Sequence, residues 1–325
     1  MPDSLIPSLE AMAYRTKNRL VNLFDPPVVV LLYHRVTSLP SDPQLLAVSP
    51  DNFRAHLQFL KNNFTLVRFE ENWAKVRKPA IAITFDDGYA DNVREALPIL
   101  EENGIPATFF VSTGTVGTQE EFWWDELEHL ILGGHDFPDR FVLIDSSFKQ
   151  DWPTSTATER QVLFEEIQPL MRNIAPQRRE NWLRQLRQWV KMEVRACEFH
   201  RAMTVEELQQ LARSKWVTIG AHTVTHSVLS CLTTEEQRRE IMESKSQLES
   251  WLGREISVFS YPFGKRKDYT RETVDLCREA GFLKAAANFP AQAHRWTDQY
   301  QIPRQLVRNW QLDVLRENLK RFWIS

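Results

Sequence analysis

The stretch AIAITFDDGYADN, residues 80–92, begins as an apolar run and ends in two adjacent aspartates followed by a glycine. The run of apolar and β-branched residues predicts a buried strand over residues 80–85. Asp86 and Asp87 then follow its carboxyl end, where parallel α/β folds usually carry their functional side chains. The pair indicates a reactive site or, as the structural alternative, a turn that caps the following helix.

Further runs of strand character alternate with amphipathic helical segments. The strand-like runs cover residues 28–34, 65–69, 107–111, 216–221 and 257–261, and the helical segments cover residues 49–63, 91–104, 204–215 and 234–253. This alternation predicts a parallel sheet with helical crossovers. Residues 118–200 break the rhythm with two long helix-like stretches. We therefore expect one domain spanning residues 1–325 with a helical insertion at 118–200.

Composition argues against several classes of protein. The net charge is −3, and no cluster of lysine and arginine with interleaved aromatics predicts a nucleic-acid partner. No stretch approaches the roughly 20 apolar residues of a membrane span, and the first residues do not form a secretory signal, so we expect a cytoplasmic protein. Residues 11–24 mix basic and apolar side chains; docking against the domain is favoured, with peripheral membrane contact as the alternative.

Two histidines follow the predicted strand at 216–221. His222 and His226 have a four-residue spacing, which on a helical turn would place both imidazoles on one face and near a single metal ion. A metalloprotease helix carries glutamate directly after the first histidine, whereas this chain has Thr223, so a base must come from elsewhere. Asp87 completes a set of two histidines and one aspartate, and Asp86 is left to take a proton from water.

At this point the motifs are recognisable. TFDDG at 84–88, HTVTH at 222–226 and the later YPFG resemble the polysaccharide deacetylase family, which is NodB-like and forms carbohydrate esterase family four. The resemblance implies a distorted (β/α) barrel of about seven parallel strands that removes acetyl groups from N-acetylated sugars. It implies that Asp86 is the general base and that Asp87, His222 and His226 bind a divalent metal. Zinc is the expected ion, with cobalt, nickel or manganese as alternatives.

Two positions depart from the family pattern. The arginine of the third motif is replaced by Ser260, which makes Arg304 a candidate to supply the guanidinium from another strand, while the backbone N–H of Phe263 stays available to an oxyanion. The late histidine of the family is also missing. The YHRV stretch at 33–36 resembles the poly-N-acetylglucosamine deacetylase branch, which makes His34 the candidate acid; the alternative is a core imidazole bonded to backbone. His56, His129, His135 and His200 are expected at the surface or at caps.

These expectations define a function and its alternatives. The sequence predicts a metal-dependent sugar N-deacetylase, an amide hydrolase acting on an N-acetylated sugar or oligosaccharide. A sugar N-deformylase or an O-acetyl esterase would use the same groups, and a non-catalytic carbohydrate-binding relative is the alternative from another class. Retention of Asp86, which a metal site alone does not need, favours an enzyme. A cytoplasmic address favours a precursor or small glycoside over finished polymer.

Overall fold

The computed structural model describes residues 21–134, 136–146, 148–192 and 197–323. Most of the segment 11–24, and His135, therefore lie outside the described residues. The strands are β1 (Val28–Tyr33), β2 (Arg35–Val36), β3 (Ala47–Val48), β4 (Thr65–Leu66), β5 (Ala80–Phe85), β6 (Ala107–Val111), β7 (Arg140–Asp145), β8 (Phe148–Pro153), β9 (Val217–Ala221), β10 (Val258–Ser260), β11 (Lys284–Ala286) and β12 (Gln305–Leu306). The α-helices are α1 (Pro50–Asn63), α2 (Leu97–Asn103), α3 (Trp123–Leu132), α4 (Ala157–Arg172), α5 (Pro176–Val190), α6 (Val205–Arg213), α7 (Thr234–Leu252), α8 (Arg271–Glu279) and α9 (Leu312–Phe322).

The main sheet is a curled parallel sheet that confirms the predicted distorted barrel. Seven strands follow the order β11-β10-β9-β6-β5-β1-β12, and β4 pairs with the first residues of β5. The two ends of this order meet just before β12. There the Ile302 N–H donates to the Ala285 carbonyl at 3.0 Å, and the Ala287 N–H donates to the Ile302 carbonyl at 2.8 Å.

Both faces of the central strands are buried, as expected for a parallel sheet covered by helices. One apolar cluster joins Val29, Leu31 and Ile81 to the surrounding helices. The alternate residues form a second cluster that fills the inside of the barrel, with members that include Val28, Val30, Ala80, Ala82, Phe110, Val258, Ala286 and Ile302. Because side chains alternate along a strand, Thr84 and Asp86 continue the inner row that begins with Ala80 and Ala82. The sequence thus carries Asp86 into the mouth of the barrel.

Helix ends follow the capping residues that the sequence places there. Ser49 precedes α1 and accepts a hydrogen bond from the Asn52 N–H at 3.3 Å. Thr233 and Glu236 form a capping box at the start of α7, and Gly253 ends this helix with a φ of 64°. The segment predicted as one helix at 91–104 instead begins as a π-helical turn at Asn92–Ala96 and continues as α2. No helix in the described ranges is both long and apolar enough to cross a membrane.

The segment 118–200 contains α3, α4 and α5, and it also contains an antiparallel hairpin that the sequence analysis missed. Strands β7 and β8 pair from Arg140 with Pro153 to Asp145 with Phe148. These strands and the three helices share an apolar cluster built around residues such as Trp152, Leu163 and Leu186. No run of strand character was found in the sequence of this segment, and β7 and β8 were missed because these strands alternate more and less buried residues over only six positions each. The boundaries of the insertion stay a prediction.

Gly220 tests the packing inside the barrel. A Cβ at this position would lie 2.5 Å from Cδ1 of Phe110 and 2.9 Å from Cγ2 of Val258, so Gly220→Ala overfills the inner layer. We expect the free energy of unfolding in urea to fall by about 1–3 kcal/mol. The control is Gly134→Ala, where an added Cβ meets nothing within 4 Å and stability should change by no more than about 0.5 kcal/mol. Equal effects of the two substitutions would contradict this description of the barrel interior.

Candidate metal centre and hydrolytic site

Asp86 is held in the barrel mouth by an arginine from the far end of the chain. Arg304 directly precedes β12, and its Nη1 and Nη2 each donate to one carboxylate oxygen of Asp86 at 2.7 Å. Ser260, the last residue of β10, accepts from Arg304 Nη2 at 2.8 Å and donates to Asp86 Oδ2 at 3.3 Å. All three side chains are buried. Arg304 thus supplies, beside Ser260, the guanidinium that the third motif lacks in this chain.

Asp87 leaves the same strand in a different direction. Its φ is 77°, in the left-handed region that a non-glycine residue rarely adopts, and Gly88 follows with a φ of 97°. The Asp87 carbonyl accepts from the Ser112 N–H after β6 at 3.0 Å, which fixes this turn against the neighbouring strand. The two adjacent carboxylates are consequently held apart, one in an ion pair and one free to face the histidines.

The two histidines lie on a loop after β9, so the expectation that their spacing marks a helical turn was wrong. Thr223 has a φ of 65° and His226 a φ of 50°. The Oγ1 of Thr223 accepts from the His226 N–H at 3.1 Å. Gly114 permits this loop to approach, since a Cβ there would lie 2.6 Å from the Val224 carbonyl oxygen. The loop nevertheless brings both imidazoles to one point.

Three ligand atoms converge beside Asp86. Oδ1 of Asp87 lies 3.7 Å from Nε2 of His222 and 3.3 Å from Nε2 of His226, and it has no hydrogen-bond partner in the described structure although it is buried. The ligand atoms of the three residues all lie within 4.8 Å of one another. Nδ1 of His222 is 2.7 Å from the Ser260 carbonyl, which directs Nε2 to the centre. Two imidazoles and a carboxylate fit a divalent ion such as zinc.

Burial sets the protonation of these groups. It lowers the pKa of His222 to about 4 and that of His226 to about 3, so both imidazoles are in the neutral form that a metal ligand needs. Burial also raises the pKa of Asp87 to about 6. Burial alone would raise the pKa of Asp86 as well, but the charge and hydrogen bonds of Arg304, together with the nearby His222 and His34, outweigh burial and bring the pKa to about 2. Asp86 is therefore ionised at neutral pH. Asp87, unlike Asp86, has no arginine paired with its carboxylate in the described structure.

His34 and Phe263 share a pocket with the two aspartates. This pocket has a volume of about 480 Å³ and is open to solvent. His34 follows β1, and its Nδ1 is buried without a hydrogen-bond partner in the described structure. Burial lowers its pKa, and the nearby Asp87 and Asp86 act against that shift. Phe263 has a φ of 59°, and its ring centroid lies 4.8 Å from that of His226.

Several residues of the site were not found from sequence. Glu240 of α7 accepts from the N–H groups of Val224 and Thr225 at 2.9 Å and so holds the histidine loop. Trp124 of α3 packs its ring 4.6 Å from that of His226. Trp124 is one of 11 tryptophans and a candidate platform for a sugar ring, but nothing in the sequence places it against a histidine, and Glu240 is one of many acids on an amphipathic helix. Only the fold distinguishes them.

Two other described histidines, His56 and His294, lie away from this centre. His56 was expected at the surface or at a cap, which is wrong: it is fully buried, with Nε2 2.8 Å from the Trp310 carbonyl. Nδ1 of His294 lies 3.2 Å from Asp25, outside the pocket. Trp296 is exposed and stacks on His294 rather than lining the pocket.

Comparison with known proteins identifies the family. The sequence model of the polysaccharide deacetylase family matches residues 74–139 and 186–283, about half of the chain, and leaves 140–185 unmatched. The curated protein YxkH of Bacillus subtilis (strain 168) is 22% identical over 285 residues, which are 86% of this chain and 70% of that protein.

Solved structures show the same fold. The deacetylase PplD of Streptococcus pyogenes, solved with acetate, superposes with a TM-score of 0.58 at 16% identity over 92% of this chain and 99% of its own. IcaB of Ammonifex degensii superposes with a TM-score of 0.58 at 19% identity, over 93% of this chain and 98% of its own. With the family match spanning the TFDDG and HTVTH motifs that build the site, this chain belongs to the polysaccharide deacetylase family.

Proposed function

We propose that this chain is a metal-dependent deacetylase that hydrolyses the acetamide of an N-acetylated sugar or oligosaccharide. The observation that carries the proposal is the buried convergence of Asp87, His222 and His226 beside a second, ionised carboxylate in an open pocket. Family membership supports the same reaction. The branch related to poly-N-acetylglucosamine deacetylases and the cytoplasmic location stay predictions.

The chain supplies a group for each proton and charge in amide hydrolysis. Asp87, His222 and His226 would hold a divalent ion, which would supply a Lewis acid to lower the pKa of water and polarise a carbonyl. Asp86 accepts the proton of the attacking water, and its salt bridge to Arg304 keeps it ionised and fixed in place. We assign the Phe263 N–H as the donor to the developing oxyanion. In its protonated form, which the charges of Asp87 and Asp86 favour, His34 delivers a proton to the leaving nitrogen, which departs poorly as an unprotonated amine.

The alternatives differ in what they need from this geometry. An N-deformylase or an O-acetyl esterase would use the same groups, and only the pocket would select between acyl groups. A non-catalytic sugar-binding relative would need neither Asp86 nor a buried arginine to hold it ionised. Burying this ion pair costs desolvation free energy, which favours a role for the carboxylate in the reaction.

Asp86→Asn tests the general base. The amide keeps the shape but cannot accept the proton, so we expect acetate release from N-acetylated chito-oligosaccharides to fall about 10²–10⁴-fold with metal content unchanged. The control is Asp151→Asn, which alters an exposed ion pair on β8. Acetate release at the wild-type rate by the Asp86 variant would remove the catalytic role.

His34→Gln tests the general acid. An amine leaving group requires a proton, so we expect acetamide hydrolysis to fall about 10²–10⁴-fold. Hydrolysis of 4-nitrophenyl acetate, whose leaving group departs without help, should change little. His294→Gln is the matched control because that imidazole lies outside the pocket. Equal losses on the amide and the ester would assign His34 a structural role instead.

Arg304→Met tests the ion pair that holds Asp86. The folded pKa of Asp86, about 2, lies below its unfolded value, so the pair contributes stability above roughly pH 4 that is lost as pH falls toward 2. Without Arg304, burial raises this pKa, and we expect the free energy of unfolding at pH 7 to fall by about 3–5 kcal/mol. The deficit should shrink on acidification, because a protonated carboxyl tolerates burial.

Denaturant unfolding of the metal-free proteins across this pH range measures the effect. Arg140→Met, which removes an exposed ion pair with Asp151, is the control and should cost no more than about 1 kcal/mol. A loss for Arg304→Met that does not vary with pH would show that Asp86 is not the group concerned.

A further inference from the structure

Arg179 connects the segment 140–185 to the histidine loop. It lies in the first turn of α5 and is only 4% exposed. Its Nη2 donates to the Thr225 carbonyl at 3.1 Å and lies 3.3 Å from Oγ of Ser227. These two residues flank His226 on either side. Arg179, which lies in the segment that the family model does not match, therefore forms hydrogen bonds with the residues on both sides of His226.

The two histidines are supported in different ways. Nδ1 of His222 bonds the Ser260 carbonyl, the usual arrangement in which a second partner orients a ligating imidazole. Nδ1 of His226 is buried and has no hydrogen-bond partner among the described residues. The ring of His226 is consequently oriented through its own strained backbone, with a φ of 50°, and through ring packing against Trp124 and Phe263. Whatever fixes that backbone fixes the ligand.

Arg179 occupies a position that is costly for a cation. It forms no ion pair with a carboxylate of the described residues, its Nη1 has no partner there, and burial lowers its pKa to about 10. Its guanidinium lies 4.9 Å from the ring centroid of Trp123, and both residues line a cavity of about 180 Å³ behind His226. The contacts that this buried cation does make are to the histidine loop and to that ring.

Glu240 holds the same loop through other backbone groups. Its Oε2 accepts from the N–H groups of Val224 and Thr225, and its Oε1 accepts from Oγ1 of Thr225 at 2.6 Å. Two backbone N–H groups before His226 thus donate to Glu240 on α7, and the Thr225 carbonyl accepts from Arg179 on α5. Removing either support frees one side of the loop.

We propose that Arg179 is a positioning residue for His226, so that α5 of the insertion sets the metal affinity of the centre. This inference rests on the proposed metal site. Supports of metal ligands typically contribute 10–100-fold to metal affinity. Arg179→Met should therefore weaken metal binding by about that factor without touching a ligand.

The test is Co²⁺ titration of the metal-free full-length chain, followed by calorimetry and by the visible absorption of the bound ion. Wild type, Arg179→Met, Arg179→Lys and Arg187→Met are compared. Arg187 is the matched control: it lies on α5, lines the same cavity and pairs with Glu126 and Glu180, but no hydrogen bond joins it to the described histidine loop. Thermal unfolding of each metal-free variant reports the loss of insertion stability separately.

We expect about 10–100-fold weaker binding and an altered cobalt spectrum for Arg179→Met, partial recovery for Arg179→Lys, and wild-type affinity for Arg187→Met even where its unfolding temperature falls. Wild-type affinity in Arg179→Met would overturn the inference. Equal weakening in Arg187→Met would also overturn it, because general loosening of α5 would then be the cause. Failure of the wild type to bind Co²⁺ or Zn²⁺ would instead refute the proposed metal site.

Discussion

The salt bridge between Arg304 and Asp86 is the constraint on which the site depends. The carboxylate is the last inward-facing group of the β5 row, and the guanidinium arrives from the segment that closes the barrel between β11 and β12. A buried carboxylate without this partner would take up a proton, and Asp86 could then no longer act as the base that we propose. The segment that closes the barrel therefore also carries the arginine that keeps Asp86 ionised.

The other groups of the site are held by strained loops that surrounding residues fix in place. Six non-glycine residues of the described chain have a positive φ, and four of them, Asp87, Thr223, His226 and Phe263, lie at this centre. Such strain persists only where neighbouring contacts enforce it, and it concentrates at functional sites. Here the contacts come from Ser112 after β6, from Glu240 on α7 and from Arg179 on α5. Helices far apart in sequence thus maintain a small cluster of ligand atoms.

The sequence predicted most of this fold because its central strands are long and apolar. The runs around β1, β5, β6 and β9 were all recognised, whereas β11 and β12 were missed because their residues, KAA and QL, include no β-branched or aromatic side chain. The barrel could be expected only from the family resemblance, since nothing in such short strands indicates closure. The hairpin β7–β8 was missed for a related reason: its alternating pattern is brief and lies between two strongly helical stretches.

The candidate ligands could be selected from sequence, but their geometry could not. The four-residue spacing of His222 and His226 suggested a helical turn, whereas Gly114, Glu240 and the left-handed residues make a loop that achieves the same convergence. Arg304 could be expected from a missing charge at Ser260. Arg179 and Glu240 could not, because a buried arginine and a buried glutamate on amphipathic helices look like surface residues until the helices are packed.

Zinc K-edge X-ray absorption of the zinc-loaded protein would test the central claim most directly. The structure predicts one ion per chain with two imidazole nitrogens and further oxygen neighbours, and the imidazole scattering should be lost when His222 and His226 are both replaced by alanine. A sulfur neighbour, or imidazole scattering that survives this double substitution, would place the ion elsewhere and contradict the account.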